Sequence, residues 1–201
     1  MWWYVLEDLL LDNNSLALGD GQVLRCKTTE EKVDAFLTVR RKILSLPQAN
    51  LATEIQRIFD GYKIDWMQKC KDLAMNWDQI VDMSRDSLCT IGGHTKNHLA
   101  LNGLNEATVT AEVVEANRLI EKRTGRKVEH FAYPFGSRLE VGPREFDIVR
   151  ELGFKTATTT RHGTIYSKHK DHLECLPRVM LTENFDMCAV GRIRRQKIVT
   201  A

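Results

Sequence analysis

From about residue 87 onward, short β-prone runs alternate with helical patterns, and this alternation narrows the possible folds more than any other feature. The runs Val128 to Tyr133, Lys155 to Thr160 and Leu176 to Leu181 read as strands. Ser87 to Ile91 reads as a further strand that stops at Gly92-Gly93. Between them, Asn105 to Thr124 is a long amphipathic helix with Val109, Val113, Ala116, Leu119 and Ile120 on one face. Gly125 is placed to end it. Pro143 to Leu152 is a second helix, with Pro in its first turn where the missing N–H costs nothing, and Gly153 ends it. Strands separated by helices at this spacing pair in parallel through crossovers, and in such sheets and barrels ligands gather at the strand ends.

The chain before this region reads differently. Trp2 to Leu11 suits a buried helix, and Asn13, Asn14 and Gly19-Asp20-Gly21 form a turn-rich stretch. Thr28, followed three residues later by Glu31, is a capping-box signature for a helix that runs to Pro47. Leu51 to Phe59, Trp66 to Met75 and Trp77 to Met83 continue the helical pattern. Two regions are expected: a mainly helical one over 1–86 and an α/β one over 87–201. The 201 residues are 43% hydrophobic and 28% charged, enough for a core and incompatible with a wholly disordered chain. With 29 Lys+Arg against 27 Asp+Glu, net charge is +2, so bulk charge gives no case for nucleic acid or membrane as a partner. Met1 to Leu6 is too short to span a bilayer and lacks the basic start and cleavage site of a signal peptide. Cys26, Cys70, Cys89, Cys175 and Cys188 are odd in number and contain no C-x-x-C, which fits reduced thiols and a cytoplasmic location.

Two stretches could carry chemistry. In Gly92-Gly93-His94-Thr95-Lys96-Asn97-His98, two histidines four apart follow a strand end and can face one point. Neutral imidazoles at that spacing suit zinc or a similar divalent ion, although two unrelated surface or core histidines would look the same. Thr95 stands where a zincin needs Glu, which excludes that class. The other stretch is Phe131-Ala132-Tyr133-Pro134-Phe135-Gly136. It reads equally as core aromatics before a turn or as a rigid loop aiming a backbone N–H at a reacting carbonyl oxygen.

Taken together, these motifs resemble the polysaccharide deacetylases, the NodB-homology group of carbohydrate esterase family 4. The similarity lies in His94-Thr95-Lys96-Asn97-His98, the loop Gly103-Leu104-Asn105-Glu106 before a long helix, Tyr133-Pro134-Phe135-Gly136, Gly153-Phe154 before a strand, and the late Leu176-Pro177-Arg178. It covers about residues 77–181. The resemblance implies an incomplete, distorted (β/α) barrel with an N-terminal helical region, 1–86, that is insertion-like. It implies removal of acetyl groups from an N-acetylated sugar polymer or oligomer, such as a chitooligosaccharide, with a divalent metal, zinc first among the options. Carried over residue by residue, His94 and His98 are metal ligands, and Phe135 is the backbone oxyanion donor. Pro134 and Gly136 fix the catalytic turn, Tyr133 lines the pocket beside the substrate, and Thr95 shapes the ligand loop, with Thr95 and Gly136 as substrate-binding positions.

The chain departs from the family pattern in three places. It has no Thr-Phe-Asp-Asp-Gly motif, which in the family supplies the catalytic base and the third ligand; Phe59-Asp60-Gly61 follows a helical pattern, and Asp60 is a decoy. Ala132 stands where many members have arginine, and the late Leu-x-His motif is absent, with His162, His169 and His172 nearby as candidate acids or plain loop histidines. The expectation is therefore a deacetylase lacking its N-terminal strand, impaired unless a missing N-terminal segment joins it. The competing expectation is a catalytically inactive carbohydrate-binding or scaffold remnant. Trp2, Trp3, Trp66 and Trp77 are expected in packing rather than on sugar rings, and the basic run Gly191 to Lys197 as a solvated helix end.

Overall fold

A computed structural model of the protein describes residues 1–181, so the basic run at 191–197 and Cys188 lie outside the described residues. The chain divides into two compact units, Met1–Asn76 and Trp77–Ala201.

In the first unit, helix α1 (Trp2–Asp12) buries Trp2, Val5, Leu6 and Leu10, the spacing of one helical face. Its last carbonyls are satisfied by side chains. Asn13 Nδ2 donates to Leu9 O at 2.8 Å, and the Lys32 ammonium donates to the carbonyls of Leu10, Leu11 and Asn13. A cation there also meets the negative end of the helix dipole. Strands β1 (Ser15–Ala17) and β2 (Val23–Arg25) then form an antiparallel hairpin. The sequence reads only as turn here, because three-residue strands are too short to show alternation. Helix α2 (Thr29–Ser45) starts at the expected capping box: Thr28 Oγ1 accepts from Glu31 N at 3.2 Å, and the Glu31 carboxylate accepts from Thr28 N. Helices α3 (Leu51–Ile58) and α4 (Trp66–Leu73) follow. Asp60 lies exposed in the turn after α3, as its helical context requires.

The second unit opens with α5 (Trp77–Arg85), which packs on α6 (Glu106–Thr124), with the Arg123 guanidinium 5.3 Å from the Trp77 ring centre. Asn105 caps α6 through its side chain, and Gly125 ends it at φ 68°. Strand β3 (His130–Ala132), helix α7 (Pro143–Glu151), strand β4 (Thr156–His162) and strand β5 (Leu176–Arg178) complete the described unit. The order β3-β4-β5 is parallel throughout, so the expected crossover architecture holds. The expected strand at Ser87–Ile91 is not formed. Residues 87 and 88 turn, Leu88 is 95% exposed, and pairing is confined to a parallel bridge between Gly93 and Phe131. The backbone comes onto the outer edge of β3 only where two glycines remove the side chains.

Among the described residues the sheet stays open at three strands plus that bridge. Its core gathers Val109 and Val113 from α6, Phe131 and Tyr133 from the end of β3, and Phe146 and Val149 from α7. No described helix is long and apolar enough to cross a membrane.

Candidate active site

Parallel pairing brings the segments that follow Gly93 and β3 out at the same end of the sheet. Gly93 N donates to His130 O at 2.8 Å and Ala132 N donates to Gly93 O at 2.9 Å, so the two chains run side by side into the site. Gly93 is required by close approach: a Cβ there would lie 2.5 Å from Asn117 Oδ1 on α6 and 3.2 Å from the Phe131 ring.

His94 and His98 come together at that end. Their ring centres are 4.7 Å apart with planes inclined by 78°. His94 Nδ1 lies 2.7 Å from Ala132 O. A carbonyl only accepts, so Nδ1 carries the proton and Nε2 of the neutral ring keeps its lone pair. The His98 imidazole is held down to about 4, first by burial and then by repulsion from a charged His94, so it is neutral near pH 7. The loop joining them is built tightly. His98 N donates to Thr95 Oγ1 at 3.1 Å, and Thr95 and His98 adopt φ of 65° and 54°.

Phe135 completes the group, with its ring edge-on to His98 at 4.8 Å between centres. Gly136 N donates to Pro134 O at 2.6 Å, closing a three-residue γ-turn around Phe135, whose φ is 59°. A γ-turn with positive φ is the rare, strained kind. Strand β4 holds it: Thr160 Oγ1 donates to Phe135 O at 2.5 Å, and Thr160 N donates to Gly136 O at 3.0 Å. Among the described residues, the three non-glycine positions with positive φ are Thr95, His98 and Phe135, all in these two motifs. Strain persists only where surroundings over-determine it, and it concentrates at functional sites.

Tyr133 differs from its expected place beside the substrate. It has no exposed surface, packs between Phe131 and Phe146, and donates its hydroxyl to Glu174 O at 2.8 Å. Burial pushes its phenol far up. The tyrosine belongs to the core, and it fixes the strand end from which the turn departs. Pro134 is buried as well. His162 is exposed at the end of β4, His169 is buried against the Tyr166 ring at 4.3 Å, and His172 lies 3.6 Å from Glu174 Oε1.

One contributor escaped the sequence reading. Glu112, on α6, is 8% exposed and accepts from Asn97 N at 2.8 Å and from Asn97 Nδ2 at 2.6 Å. Its position among Val109, Val113 and Ala116, on an otherwise apolar face, was the available signal.

The donor set fits part of a zinc-type centre. A ligating nitrogen stands about 2.0–2.1 Å from zinc, and with a ring centre about 1.1 Å beyond it, two imidazoles on one ion have centres roughly 5 Å apart. The observed 4.7 Å fits that spacing. Among the described residues, no group of three or more His, Cys, Asp or Glu side chains is arranged to hold a metal ion.

Comparison with known proteins bears on the family and the fold. No curated protein matches the chain. Among solved structures, the Streptococcus pyogenes deacetylase PplD in complex with acetate is 22% identical, with a TM-score of 0.51 over 59% of this chain and 50% of that one. BA0330 of Bacillus anthracis, described as a candidate polysaccharide deacetylase, is 21% identical, with a TM-score of 0.51 over 72% of this chain and 47% of that one. The chain thus spans about half the length of these structures and shares their fold over that half, an incomplete barrel of the deacetylase type. The family model for polysaccharide deacetylase matches residues 48–157, taking in both histidines, the α6 helix and the Pro-Phe-Gly turn. The chain belongs to the polysaccharide deacetylase family.

Proposed function

We propose that the chain carries one half of a metal-dependent deacetylase site, acting on N-acetyl groups of a sugar polymer or oligomer such as a chitooligosaccharide. The observation that carries this reading is the convergence of His94, His98 and the Phe135 turn at one end of the sheet. Family membership supports the reaction class, and the acetate in the Streptococcus pyogenes structure is the acid that such a hydrolysis leaves.

His94, through Nε2, and His98 would hold the metal, with zinc favoured by their chemistry. A bound divalent ion polarises the acetyl carbonyl and makes water a better nucleophile at neutral pH. The Phe135 N–H is the donor assigned to the oxygen on which negative charge develops as water adds to the carbonyl carbon. The strained γ-turn fixes that peptide before substrate arrives, so little reorganisation is needed. Thr95 holds the ligand loop through the His98 N–H, and Gly136 lets the turn close against β4, where a side chain would clash. The C–N bond then breaks as one proton of the added water passes to the leaving nitrogen and its hydroxyl stays on the carbonyl carbon, giving a free amine and acetic acid, which ionises to acetate.

The carboxylates that serve the family as base and third ligand have no counterpart beside the two histidines among the described residues. We therefore propose that a further segment supplies them, and that these 201 residues alone turn over slowly. The same observation favours a second reading, in which the chain is an inactive carbohydrate-binding or scaffold remnant. Acetate release from N-acetylglucosamine oligomers, with added zinc, separates the two. Activity that appears on adding a segment with a strand and paired aspartates, and disappears in His94→Ala, supports the first. Sugar binding without acetate under every condition supports the second.

A further inference from the structure

The histidine loop is strained, and a carboxylate from another element grips it. Thr95 and His98 both hold positive φ, a strained conformation for residues other than glycine that needs external support. Two of the loop's anchors involve the loop or the ligands themselves: His94 Nδ1 to Ala132 O, and His98 N to Thr95 Oγ1. Another comes from a different element. Glu112 projects from the middle of the buried face of a 19-residue helix, and each of its oxygens accepts from Asn97, one from the backbone and one from the side chain. A buried carboxylate is costly unless hydrogen-bonded, and both bonds here go to the residue immediately before His98. The neighbouring Glu115 offers a contrast. It pairs with Lys96 of the same loop at 2.7 Å, but both partners are more than half exposed, and such surface pairs contribute little.

We propose that Glu112 is a positioning residue: acting through Asn97, it holds the His94–His98 loop in the backbone geometry that presents both imidazoles, and so sets metal affinity. This inference rests on the reading of His94 and His98 as metal ligands. Supporting partners behind metal ligands typically change affinity by about 10–100-fold when lost.

The test is cobalt(II) titration of the full 201-residue chain, followed by calorimetry and the visible spectrum, with backbone amide exchange measured on the same samples. Glu112→Gln keeps the size of the side chain but places an amide N–H against an N–H of Asn97. It is expected to weaken cobalt binding about 10–100-fold and to speed exchange at Asn97 and His98, leaving exchange in β3 and β4 unchanged. Asn97→Ala, which removes only the side-chain bond, is expected to show a smaller loss of the same kind. Glu115→Gln is expected to stay within about twofold of the parent. Parent-like cobalt affinity in Glu112→Gln, in a chain whose binding is lost in His94→Ala, overturns the proposal. A lower melting temperature with unchanged cobalt affinity also overturns it, since that marks a purely structural role. If the parent chain takes up no cobalt, the metal reading fails. Loop exchange then decides the rest: faster exchange in Glu112→Gln upholds the grip on the loop, and unchanged exchange removes that too.

Discussion

Gly136 and Gly125 have nearly the same backbone, φ 67° and 68°, and very different surroundings. A Cβ on Gly125 meets nothing within 4 Å, whereas one on Gly136 would lie 2.8 Å from Thr160 N and 3.3 Å from Thr159 C. Substituting alanine at either position incurs the left-handed backbone cost, about 1–2 kcal/mol. At Gly136 the strand must also move away. That loosens the bond from Thr160 N to Gly136 O and the bond from the Thr160 hydroxyl to Phe135 O, each contributing about 1 kcal/mol. Gly136→Ala should therefore cost about 3–4 kcal/mol and exceed Gly125→Ala by about 2 kcal/mol. For a unit of this size, between the small and mid-sized domain classes, about 4 °C per kcal/mol places the melting temperature of Gly136→Ala roughly 8 °C below that of Gly125→Ala. Thermal unfolding followed by circular dichroism reads the difference directly. Equal losses in the two variants would show that the Pro-Phe-Gly turn is not braced against β4, and the argument for a preorganised Phe135 peptide would fall with it.

The His98 imidazole sits near 4 in the folded chain and near 6.5 unfolded, so between those values the unfolded state binds more protons. The stabilisation is complete above pH 6.5 and is lost as pH falls through 4. Because the ring is partly exposed, the loss is discounted to about 1–2 kcal/mol. Metal-free melts of the parent and His98→Asn from pH 7 to 4 should converge in acid, and parallel curves would contradict the assignment. Tyr133→Phe removes a buried hydroxyl bond to Glu174 O and should cost about 1–2 kcal/mol in urea unfolding while leaving cobalt affinity unchanged. A loss of metal binding in that variant would return Tyr133 to the site.

The second unit was legible in the sequence where local chemistry and periodicity agreed. Asn105 and Gly125 bound α6 as a cap and a stop, Pro143 opens α7, and the helix-separated strands pair in parallel. The meeting of His94, His98 and Phe135 followed from motif order, which no single motif carried. What stayed hidden depends on tertiary contact. Ser87–Ile91 has β-type residues but pairs with no strand among the described residues, and the segment meets β3 at Gly93. The β1–β2 hairpin is set by pairing Leu16 with Leu24 across a turn, over too few residues to show a period. Tyr133 reads as a site residue next to Pro134, yet strand alternation buries it. Glu112 looks like an ordinary helix glutamate until Asn97 is seen folded back onto it.

The central claim is that two imidazoles from one loop share one metal ion. X-ray absorption on the zinc-loaded chain tests it most directly. Two imidazole nitrogens at about 2.0–2.1 Å, falling to one in His94→Ala, is the predicted result. A zinc shell without imidazole, or one unchanged by His94→Ala, would contradict it.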